Sequence, residues 1–178
     1  MDLRKLNVEE LNRIDKDSWE NAPKIPVIFF LDNVRSALNV GSAFRTADSF
    51  SVEKIMLCGI TTTPPNREVQ KTALGADLTV AWEYYESSVD AVLKLKSEGY
   101  VIIAIEQMSK KTYLNDYEID TNKKFALIFG NEVNGLSEEL YPYIDECIEI
   151  PQAGTKHSLN VSVCVGILGW EFYKQFKK

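Results

Sequence analysis

The chain has one histidine and three cysteines, and it contains no run approaching the ~20 apolar residues that a membrane-spanning helix needs. Cys58, Cys147 and Cys164 stand singly in apolar segments. Neither zinc-ligand spacing nor an even disulfide framework can be drawn from them, so they read as reduced core thiols of a cytoplasmic protein, and no metal is expected. The first residues, Met1 to Leu6, alternate charge with leucine and lack the apolar run of a signal peptide. There is no Gly-Lys-Ser/Thr phosphate loop and no Gly-x-Gly-x-x-Gly fingerprint, which counts against a nucleotidase and against an NAD enzyme. Positive charge is also short, with a net charge of −6. That disfavours indiscriminate adhesion to a polyanion, where phosphate contacts dominate affinity. A local basic surface stays open, because Arg35, Arg45, Arg67, Lys71 and Lys156 fall in or beside loops, away from the acidic stretches.

What remains is a chain of 178 residues, 45% apolar, enough for one domain around one core. Residues 7–20 pattern as an N-terminal helix, with Leu11 and Ile14 on one side, broken by the proline-bearing stretch 21–26. Short apolar segments at 27–31, 54–58, 78–82, 100–106, 125–129 and 147–150 read as strands. Segments at 40–50, 67–74, 89–96, 138–141 and 159–176 read as helices, and 107–122 as loop. Near-regular alternation of strand and helix predicts an α/β fold with a mostly parallel sheet flanked by helices. The continuous apolar run 125–129 suits a strand covered on both faces. The chain divides into an N-terminal helical extension, 1–22, and one domain, 23–178. The last helix carries Val161, Val163, Val165, Leu168, Trp170 and Tyr173 nearly all round. Such a helix is buried on more than one side, so a second subunit is expected to cover the side the sheet does not.

Three polar constellations interrupt this pattern at strand ends. In Asn39-x-Gly41-x-x-x-Arg45, Gly41 and Arg45 share a helix face. The missing side chain predicts open space beside a guanidinium that meets substrate, while the plainer reading is a solvated arginine paired with Asp48. Gly130-x-Glu132-x-x-Gly135-Leu136 follows an apolar strand, where Gly130 would let the backbone approach a ligand and Glu132 offers a carboxylate. In Ile150-Pro151-x-x-Gly154-x-x-x-Ser158-Leu159-Asn160-Val161-Ser162, a strand ends at a proline, Gly154 loosens the loop, and Ser158 stands at a predicted helix N-cap. Capping accounts for Ser158 or Asn160 but hardly both. His157 reads as an exposed loop residue rather than a base. Loops at the carboxyl ends of parallel strands are where open α/β sheets bind ligands.

Together, in this order and spacing, the three constellations resemble the signature motifs of the SpoU (TrmH-like) branch of the SPOUT RNA methyltransferases, over most of the chain from about residue 25. The resemblance implies a C-terminal trefoil knot, which hydrophobic patterning alone could not predict. It further implies S-adenosylmethionine held in the knot, a homodimer through the C-terminal helix, and methyl transfer to a ribose 2′-hydroxyl of structured RNA. Transfer RNA with guanosine as target is favoured by the stretches Thr61 to Arg67 and Lys71 to Gly75; ribosomal RNA is the other option. Gly130, Ile150, Leu159 and Gly154 would hold the cofactor. Arg45, Asn39, Glu132, Ser158 and Asn160 would form the catalytic set, with Arg45 at the hydroxyl. A separate N-terminal RNA-binding domain, present in some members, is not expected. The alternative is a S-adenosylmethionine- or RNA-binding module without catalysis.

Overall fold

The computed structural model describes residues 3–7 and 9–177; residues 1, 2 and 8, in the expected extension, and 178, at the end of the expected domain, lie outside the described residues. Among the described residues, seven strands form one sheet in the order β3-β2-β1-β6-β4-β7-β5, and every pairing between neighbours is parallel. The strands are β1 Ile25–Asp32, β2 Val52–Cys58, β3 Trp82–Tyr85, β4 Tyr100–Ile105, β5 Thr112–Tyr113, β6 Lys124–Phe129 and β7 Glu146–Glu149. The helices are α1 Lys16–Asn21, α2 Ala37–Ser49, α3 Arg67–Ala73, α4 Ser88–Ser97 and α5 Val161–Phe176.

The period-2 alternation of strand side chains sorts the core into two layers. From β1, Phe29 and Leu31 join Phe44, Phe125, Leu127, Phe129 and Phe172 beneath α2 and α5. Ile28 and Phe30 point the other way, to Met56, Ile102, Ile128 and Leu95 of α4. Both faces are covered, as the unbroken apolar strands require. Pro26 has no N–H to give the ladder, and the β1–β2 register shifts between Ile25 and Ile28, where it sits.

Three expectations are corrected. The helix over 7–20 is a short 3₁₀ turn, Glu9–Leu11, followed by α1. Asn12 lies in the left-handed region at φ 48°, and Asp15 caps α1 by accepting from Ser18 N–H. Leu11 and Ile14 are both exposed, so no packing would repay a longer helix. The strand over 78–82 lies further along, at Trp82–Tyr85. Its first part is a 3₁₀ turn, Ala76–Leu78, entered through Gly75 at φ 94°. The 107–122 loop contains the edge strand β5 and a 3₁₀ turn, Leu114–Asp116.

The carboxyl ends of the adjacent strands β1, β6, β4 and β7 meet along one rim of the sheet. That rim carries Asn33, Gly130, Glu106 and Ile150, each one residue beyond its strand.

Candidate active site

A cleft of about 790 Å³ opens on this rim, lined by the ends of β4, β6 and β7 and the start of α5. Ile105, Ile148, Ile150, Leu159 and Val161 give it apolar walls; Glu106, Asn131, Glu132, Ser158 and Asn160 bring polar groups. Its volume and its mixture of apolar wall and few polar groups match those of small-molecule sites. An adenine nucleoside with an amino-acid tail is of this size class and chemistry, so the residues present fit S-adenosylmethionine.

The turn after β6 is built by its own asparagine. Asn131 and Gly135 exchange two backbone hydrogen bonds of 2.9 Å, while the Asn131 Oδ1 accepts from Val133 N–H and Asn134 N–H. The fold-back lies over Gly130: a Cβ there would come within 2.4 Å of the Gly135 carbonyl carbon. The glycine therefore admits the turn's own backbone as well as bordering the cleft. Gly135 has φ 68°, and a Cβ there would also sit 2.6 Å from Glu106 Oε2.

Glu132 latches this turn to the β1–α2 loop. It accepts from Arg35 N–H at 2.8 Å, Ser36 N–H at 3.0 Å and Asn39 Nδ2 at 2.9 Å. Partial burial pushes its carboxyl up, but the bonds from Arg35, Asn39, its own N–H and Ser36 outweigh that, and the group titrates below the ordinary carboxylate value. Beneath the latch lies a buried polar cluster. Asp32 is fully buried and accepts from Ser88 Oγ at 2.7 Å, Asn33 Nδ2 at 2.9 Å and Ser137 N–H at 2.9 Å. Asn33 in turn accepts, through its backbone carbonyl, from Asn131 Nδ2 at 2.7 Å. The end of β1 and the second constellation are thus tied together from below.

The third constellation begins in an exposed loop. Asn160, not Ser158, caps α5, accepting from Ser162 N–H at 2.8 Å and Ser162 Oγ at 2.6 Å. Helix α5 starts two residues later than expected, leaving Ser158 and Leu159 free to line the cleft. His157 is exposed, and its carbonyl accepts from Gln107 Nε2 at 2.6 Å.

Of the residues singled out from sequence, Glu132, Gly130, Ile150, Ser158, Leu159 and Asn160 line the cleft, and Asn39 is bonded to it through Glu132. Gly154 and Arg45 do not line it. Gly154 sits in the exposed loop with no atom within 4 Å of an added Cβ. Arg45 lies on the exposed stripe of α2 with Leu38 and Ser49. The pairing of Arg45 with Asp48 is corrected: Asp48 Oδ1 instead accepts from Thr79 Oγ1 at 3.0 Å. The open space expected at Gly41 is corrected too. A Cβ there would lie 2.1 Å from the Val69 carbonyl oxygen, because α3 packs directly over that turn. Sequence reasoning missed Glu106, Gln107 and Met108, which line the cleft after β4. Their only signal was two polar residues at the carboxyl end of an apolar strand.

Comparison with known proteins agrees with this fold. The model of the SpoU rRNA Methylase family matches residues 26–170. A tRNA (guanosine(18)-2′-O)-methyltransferase of Aquifex aeolicus is 32% identical over 155 residues, covering 84% of this chain and 69% of the relative. A 23S rRNA (guanosine-2′-O-)-methyltransferase of Neisseria meningitidis is 30% identical over 160 residues, covering 90% and 63%. The crystal structure of an AdoMet-bound rRNA methyltransferase from Sinorhizobium meliloti superposes with a TM-score of 0.79 at 26% identity, covering 88% of this chain and 60% of that one. The chain therefore spans about 60–69% of the length of these proteins. With the family model matched over most of its length, the chain belongs to the SpoU rRNA Methylase family.

Proposed function

We propose that this protein transfers a methyl group from S-adenosylmethionine to a ribose 2′-hydroxyl of structured RNA, with a transfer-RNA guanosine as the favoured target and ribosomal RNA second. The observation that carries the reading is the convergence of Gly130, Ile150 and Leu159 on one cleft, with Asn39 latched to it through Glu132. The A. aeolicus and N. meningitidis relatives, named for guanosine 2′-O-methylation of transfer and ribosomal RNA, support the substrate class. The AdoMet-bound S. meliloti structure supports the cofactor.

The cofactor supplies a methyl already activated on a sulfonium, so the protein's task is to hold and align. Gly130, Ile150 and Leu159 would hold the donor largely through backbone groups, and Gly154 gives the outer loop freedom to approach it. The apolar walls exclude water. Asn39, Glu132, Ser158 and Asn160 shape the acceptor side and keep the hydroxyl in line, and alignment of this kind is worth up to ~7–11 kcal/mol. Arg45 carries a permanent charge and accepts no proton. Its fork orients the ribose and neighbouring phosphate and stabilises the alkoxide as the proton leaves to water.

Within one chain Arg45 stands outside the cleft, and this favours two readings. One is the homodimer through α5. Val163 and Trp170 remain 47% and 52% exposed on that helix, and α5 packs beside α2 through Gly169 against Thr46 and Phe50. A partner covering this face would reach the arginine. The other is a non-catalytic cofactor- or RNA-binding module. The same proposal includes the division at residues 22 and 23, the knotted threading of the C-terminal part, supported by insertion of β6 between β1 and β4, and a cytoplasmic site, supported by three free thiols.

The test is methyl transfer from labelled S-adenosylmethionine to transfer- and ribosomal-RNA transcripts, with alkaline digestion to detect the resistant 2′-O-methyl linkage. Arg45→Ala is expected to lower turnover by roughly 10²-fold or more while donor binding stays unchanged. Absence of transfer by the unsubstituted dimer selects the non-catalytic module.

A further inference from the structure

The cleft holds three carboxylates, and they are not equivalent. Glu149 lies 2.6 Å from the Lys111 ammonium, with both side chains mostly buried, so its charge is offset. Glu132 is committed to three donors of the β1–α2 loop. Glu106, at the end of β4, accepts only backbone N–H groups: Gln107 at 2.8 Å on Oε1 and Leu136 at 3.3 Å on Oε2. Among the described residues no lysine or arginine comes within ion-pair distance of it. The two bonds fix the carboxylate between the β4 loop and the Gly135–Leu136 turn. The neighbouring Gln107 side chain reaches the loop before α5 through the His157 carbonyl. Glu106 is therefore a negative charge held in place at the cleft wall beside the end of β4, with its position set by backbone and its charge uncompensated.

Resting on the methyltransferase reading above, we infer that Glu106 sets the protein's preference for the charged methyl donor over the spent product. Transfer breaks the S–CH3 bond and leaves its electron pair on sulfur. The methyl forms an O–CH3 bond, and the hydroxyl proton goes to water. The sulfur is cationic before the step and neutral after it, while the rest of the cofactor is the same. A fixed carboxylate in a partly desolvated cleft attracts the first state and is indifferent to the second. It draws in the donor and lets the product go. It does not accelerate the chemistry, because positive charge on sulfur is already falling in the transition state. Lys111 works in the opposite sense, since it screens the second carboxylate.

The experiment measures calorimetric Kd values of the full-length protein for three probes: S-adenosylmethionine, S-adenosylhomocysteine, and sinefungin, which carries an amine in place of the methylsulfonium. Glu106→Gln keeps size and one acceptor while removing the charge. It should weaken the two cationic probes about tenfold and leave the neutral product within about twofold. Lys111→Met, which unmasks Glu149, should move the cationic-to-neutral ratio the other way, and it tests the same electrostatics if Glu106→Gln fails to fold. Equal weakening of all three probes by Glu106→Gln would reduce Glu106 to a loop tie and overturn the inference, as would an unchanged ratio in both variants. Failure of the unsubstituted protein to bind any of the three would instead overturn the methyltransferase reading itself.

Discussion

Replacing Gly41 by alanine separates two physical accounts of the first constellation. If the glycine left a void for a ligand, an added methyl would not disturb the fold; alanine's better helix propensity would stabilise it by ~0.8–1 kcal/mol. The structure predicts the reverse. The new Cβ would sit 2.1 Å from the Val69 carbonyl oxygen and 2.2 Å from Thr72 Oγ1, far inside the 3.4 Å at which ordinary contact begins. The Thr72 side chain could rotate away, but it would give up its 2.8 Å hydrogen bond to the Leu38 carbonyl. The Val69 carbonyl belongs to α3 and can yield only if the two helices part. Overpacking of this kind costs ~1–3 kcal/mol, and the lost hydrogen bond adds ~1 kcal/mol. After subtracting the propensity gain the net loss is about 1–3 kcal/mol, a fall in melting temperature of roughly 3–10 °C for a chain of this size. Calorimetric melting of Gly41→Ala beside the parent protein measures it. A melting point equal to or above that of the parent would refute the packing account.

Glu132→Gln should cost about 1 kcal/mol at neutral pH, since the latch is partly exposed and solvent screens it. Because the Glu132 carboxyl is held below its ordinary value, its contribution is complete above ~4.3 and fades as pH falls through the folded-state value. The stability gap between parent and variant should close in acid, and a gap independent of pH would reject the latch. Asn160→Ala removes the α5 cap and should cost ~1 kcal/mol in chemical denaturation; a neutral effect would return the cap to Ser158. Burial pushes the thiols of Cys58 and Cys147 above the ordinary cysteine value, so in native protein at neutral pH these two should resist thiol-reactive dyes until unfolded. Rapid labelling without unfolding would contradict their placement. Asp32→Ala strands Ser88 Oγ, Asn33 Nδ2 and the Ser137 N–H in a buried cluster. It should destabilise by ~2–4 kcal/mol in urea unfolding.

The sequence by itself determined the fold class. Apolar runs such as Phe125 to Phe129 need cover on both faces, and only parallel strands alternating with helices supply it. Local pattern also located two of the loops that line the cleft, since glycine, proline and polar residues clustered at strand ends mark the turns there. It erred where long-range contact decides. Leu11 and Ile14 looked like one face of a helix, but both stay exposed rather than joining the core. Gly41 looked like open space because the sequence does not say that α3 lies across it. Ser158 looked like the cap because one residue's hydrogen bond does not show in composition, and Asn160 had the better geometry.

Tertiary structure alone decided the rest. The sheet order sets Glu106, Gly130 and Ile150 side by side, although they are far apart in the chain. Glu132 and Asn39, separated by most of the domain, are joined by one hydrogen bond. Arg45, six residues beyond Asn39 on α2, does not line the cleft, because six residues of helix turn a side chain onto a different face. Pattern along a chain reports the periodicity that each element must satisfy. Which elements meet depends on strand order and helix crossing, and those follow from the packing of the whole core at once.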